Sequence, residues 1–128
     1  EIMACSDNVL RAGLTPKHVD VDELLRVVTD DQDPGVPQEA VPGPDGLRRI
    51  PLWEDRLSLV SGEVEPGREL ELDPSTCTVL CVDGSVTLGV PGAEQMEVGS
   101  GHSAWVRADG EPVVVSGHGA FWAVELRA

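Results

Sequence analysis

Polar and apolar residues alternate through most of the chain after its first third. Ser85-Val86-Thr87-Leu88-Gly89-Val90 and Glu69-Leu70-Glu71-Leu72 alternate residue by residue, the pattern of a strand with one buried face. Strand-like runs occupy 56–64, 68–72, 77–83, 85–90, 94–98, 103–107, 112–116 and 120–126. Glu65-Pro66-Gly67, Asp73-Pro74-Ser75, Asp83-Gly84, Pro91-Gly92, Gly99-Ser100-Gly101 and Asp109-Gly110 separate them with turn chemistry. Gly117-His118-Gly119 reads as one more hairpin turn. Short strands broken at such intervals predict an antiparallel sandwich or barrel, and a jelly roll is the preferred arrangement.

The N-terminal part has another rhythm. Asp20 suits an N-cap and Glu23 follows at capping-box spacing. Val21, Leu24, Leu25 and Val28 then recur at helical spacing, which predicts a two-turn helix with one apolar face. A helix this short needs something to pack against. Ahead of it, Glu1 to Cys5 reads as a strand end, Ser6-Asp7-Asn8 as a turn, and Arg11-Ala12-Gly13 as a tight bend. Thr15-Pro16 bars a helix at that point. Ile2, Val9, Leu10 and Leu14 call for cover. Residues 30–48 are dense in Pro and Gly without periodicity and predict a linker. The expected organisation is 1–29 as a motif segment with one short N-terminal helix, 30–48 as linker, and 49–128 as a mainly β domain.

Composition narrows the picture. Phe121, Trp53, Trp105 and Trp122 are the only aromatics, so the core must come from Val, Leu, Ala and Ile. With 23 acidic residues against 9 basic ones, the net charge is -14. Such a field argues against nucleic acid and anionic membrane surfaces as partners. It also means that any phosphate group must be met by local cations. No run approaches the roughly 18 apolar residues of a membrane span. Cys77 and Cys81 are too far apart along a strand for a disulfide, and three cysteines make no scaffold, so buried reduced thiols in a cytoplasmic protein are expected. No leader pattern is visible and the chain starts at Glu1, so a piece of a longer polypeptide is expected.

Candidate chemistry concentrates near the N-terminus. His18, His102 and His118 are not spaced as metal ligands, and no CxxC or HExxH pattern occurs, so no metal site is expected from this chain. No G-x-S-x-G nucleophile elbow is present. Asp7, Asn8, Arg11 and Lys17, by contrast, share one turn-rich segment in which Gly13 and Pro16 would fix the backbone. A guanidinium held there could fork onto a phosphate or an enediolate, and a lysine would add a point charge. The same residues also read as a surface turn with an internal ion pair. Residues 49–128 carry no recognisable site of their own.

The run Glu1-Ile-Met-Ala-Cys-Ser-Asp-Asn-Val-Leu-Arg-Ala-Gly-Leu-Thr-Pro-Lys17 closely resembles the signature of the type I phosphomannose isomerase family. The resemblance extends over about the first 28 residues; beyond them only the general character of that family's C-terminal jelly-roll domain is matched. It implies a cupin-like jelly-roll β-sandwich and a zinc-dependent isomerase that interconverts mannose 6-phosphate and fructose 6-phosphate. It also implies catalytic roles for Arg11 and Asp7, and substrate-binding roles for Lys17 and Glu1. The family's zinc ligands are a Gln, two His and a Glu that precede this motif. The resemblance therefore implies Zn2+ bound by a missing N-terminal catalytic region, and an inactive fragment. Two other readings stand beside it: a non-catalytic β-sandwich packing module, and a cupin isomerase acting on another sugar phosphate.

Overall fold

The computed structural model describes residues 10, 11, 13–28, 38–50, 52, 56–73 and 76–126. The chain divides into two compact units, Glu1–Pro37 and Gln38–Ala128. The first holds α1, Val21–Val27. The Asp20 side chain accepts the Glu23 N–H at 3.0 Å, as the capping pattern predicts. Glu23 does not close the box; its carboxylate takes the Arg26 Nε–H at 2.6 Å. No residue of α1 is buried, and Leu25 stays 71% exposed. The apolar face read from the sequence is therefore present and uncovered.

The second unit is one antiparallel sheet. Its strands are β1 (Val41–Pro42), β2 (Arg48–Ile50), β3 (Leu57–Val64), β4 (Leu70–Leu72), β5 (Thr76–Gly89), β6 (Met96–Gly99), β7 (Ser103–Val106) and β8 (Val113–Leu126). The two long strands, β5 and β8, pair with each other along nearly their whole length. On its other edge β8 carries β3 and β4; on its other edge β5 carries β7 and β6. β2 and then β1 extend the sheet beyond β3.

Side chains alternate in and out of one core. Val60 and Val64 of β3, Leu70 and Leu72 of β4, and Val113, Val115, Phe121 and Ala123 of β8 all point inward. Inward positions of β5 are odd at Cys77, Val79 and Cys81 but even at Val86 and Leu88. A register shift between Cys81 and Asp83 accounts for the change, since one extra residue reverses the parity. Both halves of the long strands thus face the same core, and the sheet curls on itself. The aliphatic core anticipated from the scarcity of aromatics is what forms, with Phe121 its largest member.

The curl passes through glycines. A Cβ on Gly119 would strike the Asp83 carbonyl oxygen, and one on Gly84 the His118 carbonyl oxygen. Gly117 has φ +111° and lies against the backbone of Ser85. Asp83-Gly84 and Gly117-His118-Gly119 were expected as turns, and neither is one: both lie inside continuous strands. Their glycines let two backbones approach at a corner rather than reverse the chain. The expected linker 30–48 also differs, because β1 and the start of β2 fall within it. Pairing of Val41 with Arg49 and Pro42 with Arg48 draws this Pro- and Gly-rich stretch onto the sheet. Fully buried Leu47 then anchors it.

One buried acid crosses the core's edge. Glu125 is fully buried and its Oε1 accepts the Asp73 N–H at 3.0 Å. Cys77 lies directly opposite Glu125 in the register. Burial, and secondarily the Glu125 carboxylate, push the Cys77 thiol up to about 11. The unfolded chain loses this proton near 9.0, whereas the folded chain holds it to about 11. Between those values the unfolded state binds fewer protons, so stability is full below pH 9 and falls as pH rises towards 11. Denaturant titrations at pH 8 and pH 10.5 are expected to show a loss of stability that Cys77→Ala reduces.

Candidate functional site: the basic bend before α1

Ala12, in the middle of the expected Arg11-Ala12-Gly13 bend, lies outside the described residues; the bend described at residues 13–17 has an unusual backbone. Gly13 has φ +140° and Leu14 φ +54°. A leucine in the left-handed region is uncommon, and such conformations persist where the surroundings fix them. The Leu14 side chain gains nothing from burial here, as it is fully exposed. Next, Thr15 Oγ1 accepts the Lys17 N–H at 3.2 Å. This closes a small hydroxyl turn around Pro16 and leads the chain into the Asp20 cap.

Arg11 is half-buried at the start of the bend, and Lys17 is exposed at its end. Among the described residues, neither side chain pairs with a carboxylate. This separates them from Arg26, Arg49 and Arg107, which pair with Glu23, Asp45 and Asp109. Two cations with no carboxylate partner among the described residues, on one fixed bend, suit an anionic ligand. Glu1 and Asp7, the other two expected site residues, lie outside the described residues.

A metal would need another set of donors. His18 precedes α1, His102 sits in the turn between β6 and β7, and His118 lies at the strand corner. Among the described residues no group of three or more His, Cys, Asp or Glu side chains could hold a metal ion. These residues do not fit a zinc site. Also among the described residues, no helix is long and apolar enough to cross a membrane.

One concave feature was not anticipated from the sequence. A groove of about 470 Å³ in the second unit is lined by Arg48, Ser61, Glu63, Arg68 and Trp122, among others. No local spacing signals it, because its residues come from β2, β3, β5, β8 and two connections.

A mainly β, antiparallel fold led by one short helix is what solved phosphomannose isomerases share with this chain. The crystal structure of mannose 6-phosphate isomerase from Salmonella typhimurium bound to fructose 6-phosphate and zinc matches 98% of the chain at 30% identity and TM-score 0.79, using 32% of its own length. An arginine-to-alanine variant of the phosphomannose isomerase from that organism matches with TM-score 0.80. In sequence, mannose-6-phosphate isomerase of Escherichia coli is 35% identical over 120 residues. That match takes in 93% of this chain and 30% of the relative. The chain is thus a homologue of a portion of mannose-6-phosphate isomerases and spans about a third of their length. No family model matches it.

Proposed function

We propose that this chain is the C-terminal portion of a zinc-dependent isomerase that interconverts mannose 6-phosphate and fructose 6-phosphate. The observation that carries the reading is the similarity itself: 35% identity across 93% of the chain, to an enzyme of that name. The zinc and fructose 6-phosphate bound by the solved Salmonella relative support it. In this reading the second unit is a cupin-like jelly roll, and the protein works in the cytoplasm. The metal ligands belong to polypeptide outside the described residues.

The chain's own contribution is electrostatic. Aldose–ketose isomerisation moves a proton between C1 and C2 through a cis-enediol, so negative charge develops on the substrate oxygens. Arg11, presented by the Gly13–Leu14 bend, donates paired N–H groups to that charge. Each charge-assisted hydrogen bond of this kind contributes about 1.5–3 kcal/mol. Asp7 orients the guanidinium or relays the proton, a step that typically gives about 10²–10⁴-fold. Lys17 meets the phosphate, and Glu1 binds the sugar or orders the two cations. The solved variants of the Salmonella enzyme include a glutamate and an arginine replaced by alanine at the same sequence spacing as Glu1 and Arg11.

Specificity tests the substrate assignment. The zinc-loaded polypeptide that carries this chain is expected to convert mannose 6-phosphate faster than other hexose 6-phosphates. Preferred conversion of a different hexose 6-phosphate would assign the chain to an isomerase of another sugar.

A further inference from the structure

We propose that the groove formed by Arg48, Arg68 and Trp122 is a ligand site built for a small anionic sugar. The sheet register makes its floor. Arg48 pairs with Ser61, and Ser61 pairs with Trp122, so the three stand in one row on one face of β2, β3 and β8. Glu63 lies two residues along the same face, opposite Ala120. Arg68 comes from the connection between β3 and β4.

The wall that carries Arg68 is fixed by the turn between β1 and β2. Within it the Gly43 N–H donates to the Leu47 carbonyl at 2.7 Å, and Asp45 Oδ1 accepts the Leu47 N–H at 3.1 Å. Asp45 also holds Arg49 at 2.7 Å, which keeps its carboxyl below the usual carboxylate range. These contacts set Gly46 at φ +85°. The Arg68 guanidinium rests where a Cβ on Gly46 would be. A bare glycine is thus what gives Arg68 its place in the groove.

The charge arrangement points to an anion. In a chain of net charge -14 with 9 basic residues, two arginines line one cavity. Among the described residues, Arg48 gives one long N–H bond, 3.4 Å, to the Ala40 carbonyl and has no other side-chain partner. Among the described residues, Arg68 has no side-chain hydrogen bond or ion pair, although Glu63 lines the same groove. Among the described residues, two guanidiniums against one carboxylate make this groove locally positive.

The remaining walls point to a sugar. The indole of half-buried Trp122 offers a flat apolar surface to a ring, while Ser61 and Glu63 accept or donate hydrogen bonds to hydroxyls. The volume, about 470 Å³, falls in the range of small-molecule sites. A bare phosphate would use only the arginines. A neutral sugar would leave them unpaired. A phosphorylated or carboxylated monosaccharide satisfies every wall.

The test is a titration followed at the Trp122 indole and Arg68 side-chain N–H resonances of the labelled protein, with three probes: glucose 6-phosphate, glucose and inorganic phosphate. Glucose 6-phosphate is expected to give saturable shifts, inorganic phosphate weaker binding, and glucose none. Arg68→Gln and Arg48→Gln are each expected to weaken glucose 6-phosphate binding by about tenfold or more. Binding is read at Trp122 and Arg68 without turnover, so this proposal and the isomerase reading fail independently. No saturable shift at Trp122 up to about 10 mM probe overturns the proposal. So does unaltered binding in the Arg48→Gln, Arg68→Gln double variant, whose unchanged core resonances would establish that it folds. Equal affinity for inorganic phosphate and glucose 6-phosphate would overturn the sugar assignment.

Discussion

In the complete polypeptide that carries this chain, Arg11→Ala is expected to lower the proposed turnover of mannose 6-phosphate by about a hundredfold or more while zinc content stays near normal. The size follows from the proposed role. A guanidinium whose hydrogen bonds strengthen as charge develops acts mainly on kcat, and its loss is not repaired by more substrate. Arg11→Lys separates charge from shape. Lysine keeps the charge but has no planar fork, so it should recover only part of the lost rate. The fold should be indifferent to both changes, because the Arg11 side chain is half-exposed and the core belongs to Gln38–Ala128. Turnover near that of the wild type in Arg11→Ala would remove this residue from the mechanism.

Gly119→Val is expected to have the largest effect on stability, a loss of about 3 kcal/mol or more in denaturant titration. An added Cβ would meet the Asp83 carbonyl oxygen and come within 3.0 Å of the Ser85 nitrogen. Those atoms are backbone of the paired strand and cannot rotate away. The corner of β5 and β8 would have to open, and the core on both sides depends on that pairing. Gly99→Ala is the matched control. A Cβ there meets nothing within 4 Å, so its effect should stay within about 0.5 kcal/mol. Similar losses from both substitutions would mean that the corner is not where the sheet is constrained.

The sequence made the local parts of this fold readable. Asp20 and Glu23 announced the start of α1, and alternation placed β3, β4, β6 and β7 to within about two residues. What it concealed depended on partners distant along the chain. Asp83-Gly84 and Gly117-His118-Gly119 have turn composition, and only the opposing backbone makes them a bulge and a corner. Val41 and Pro42 look like linker until Arg48 and Arg49 pair with them. The same distinction divides the two sites. Gly13 marked the bend that carries Arg11, although nothing local announces a left-handed Leu14. Arg48, Ser61 and Trp122 are scattered in sequence and become neighbours only through strand register.

The most direct test of the central claim measures zinc and mannose 6-phosphate isomerisation side by side, on the 128-residue chain and on the complete polypeptide that carries it. Zinc and turnover are expected together in the complete polypeptide, and neither in the chain alone. A complete polypeptide that binds zinc and leaves mannose 6-phosphate unconverted would contradict the account, as would rapid conversion by the chain by itself.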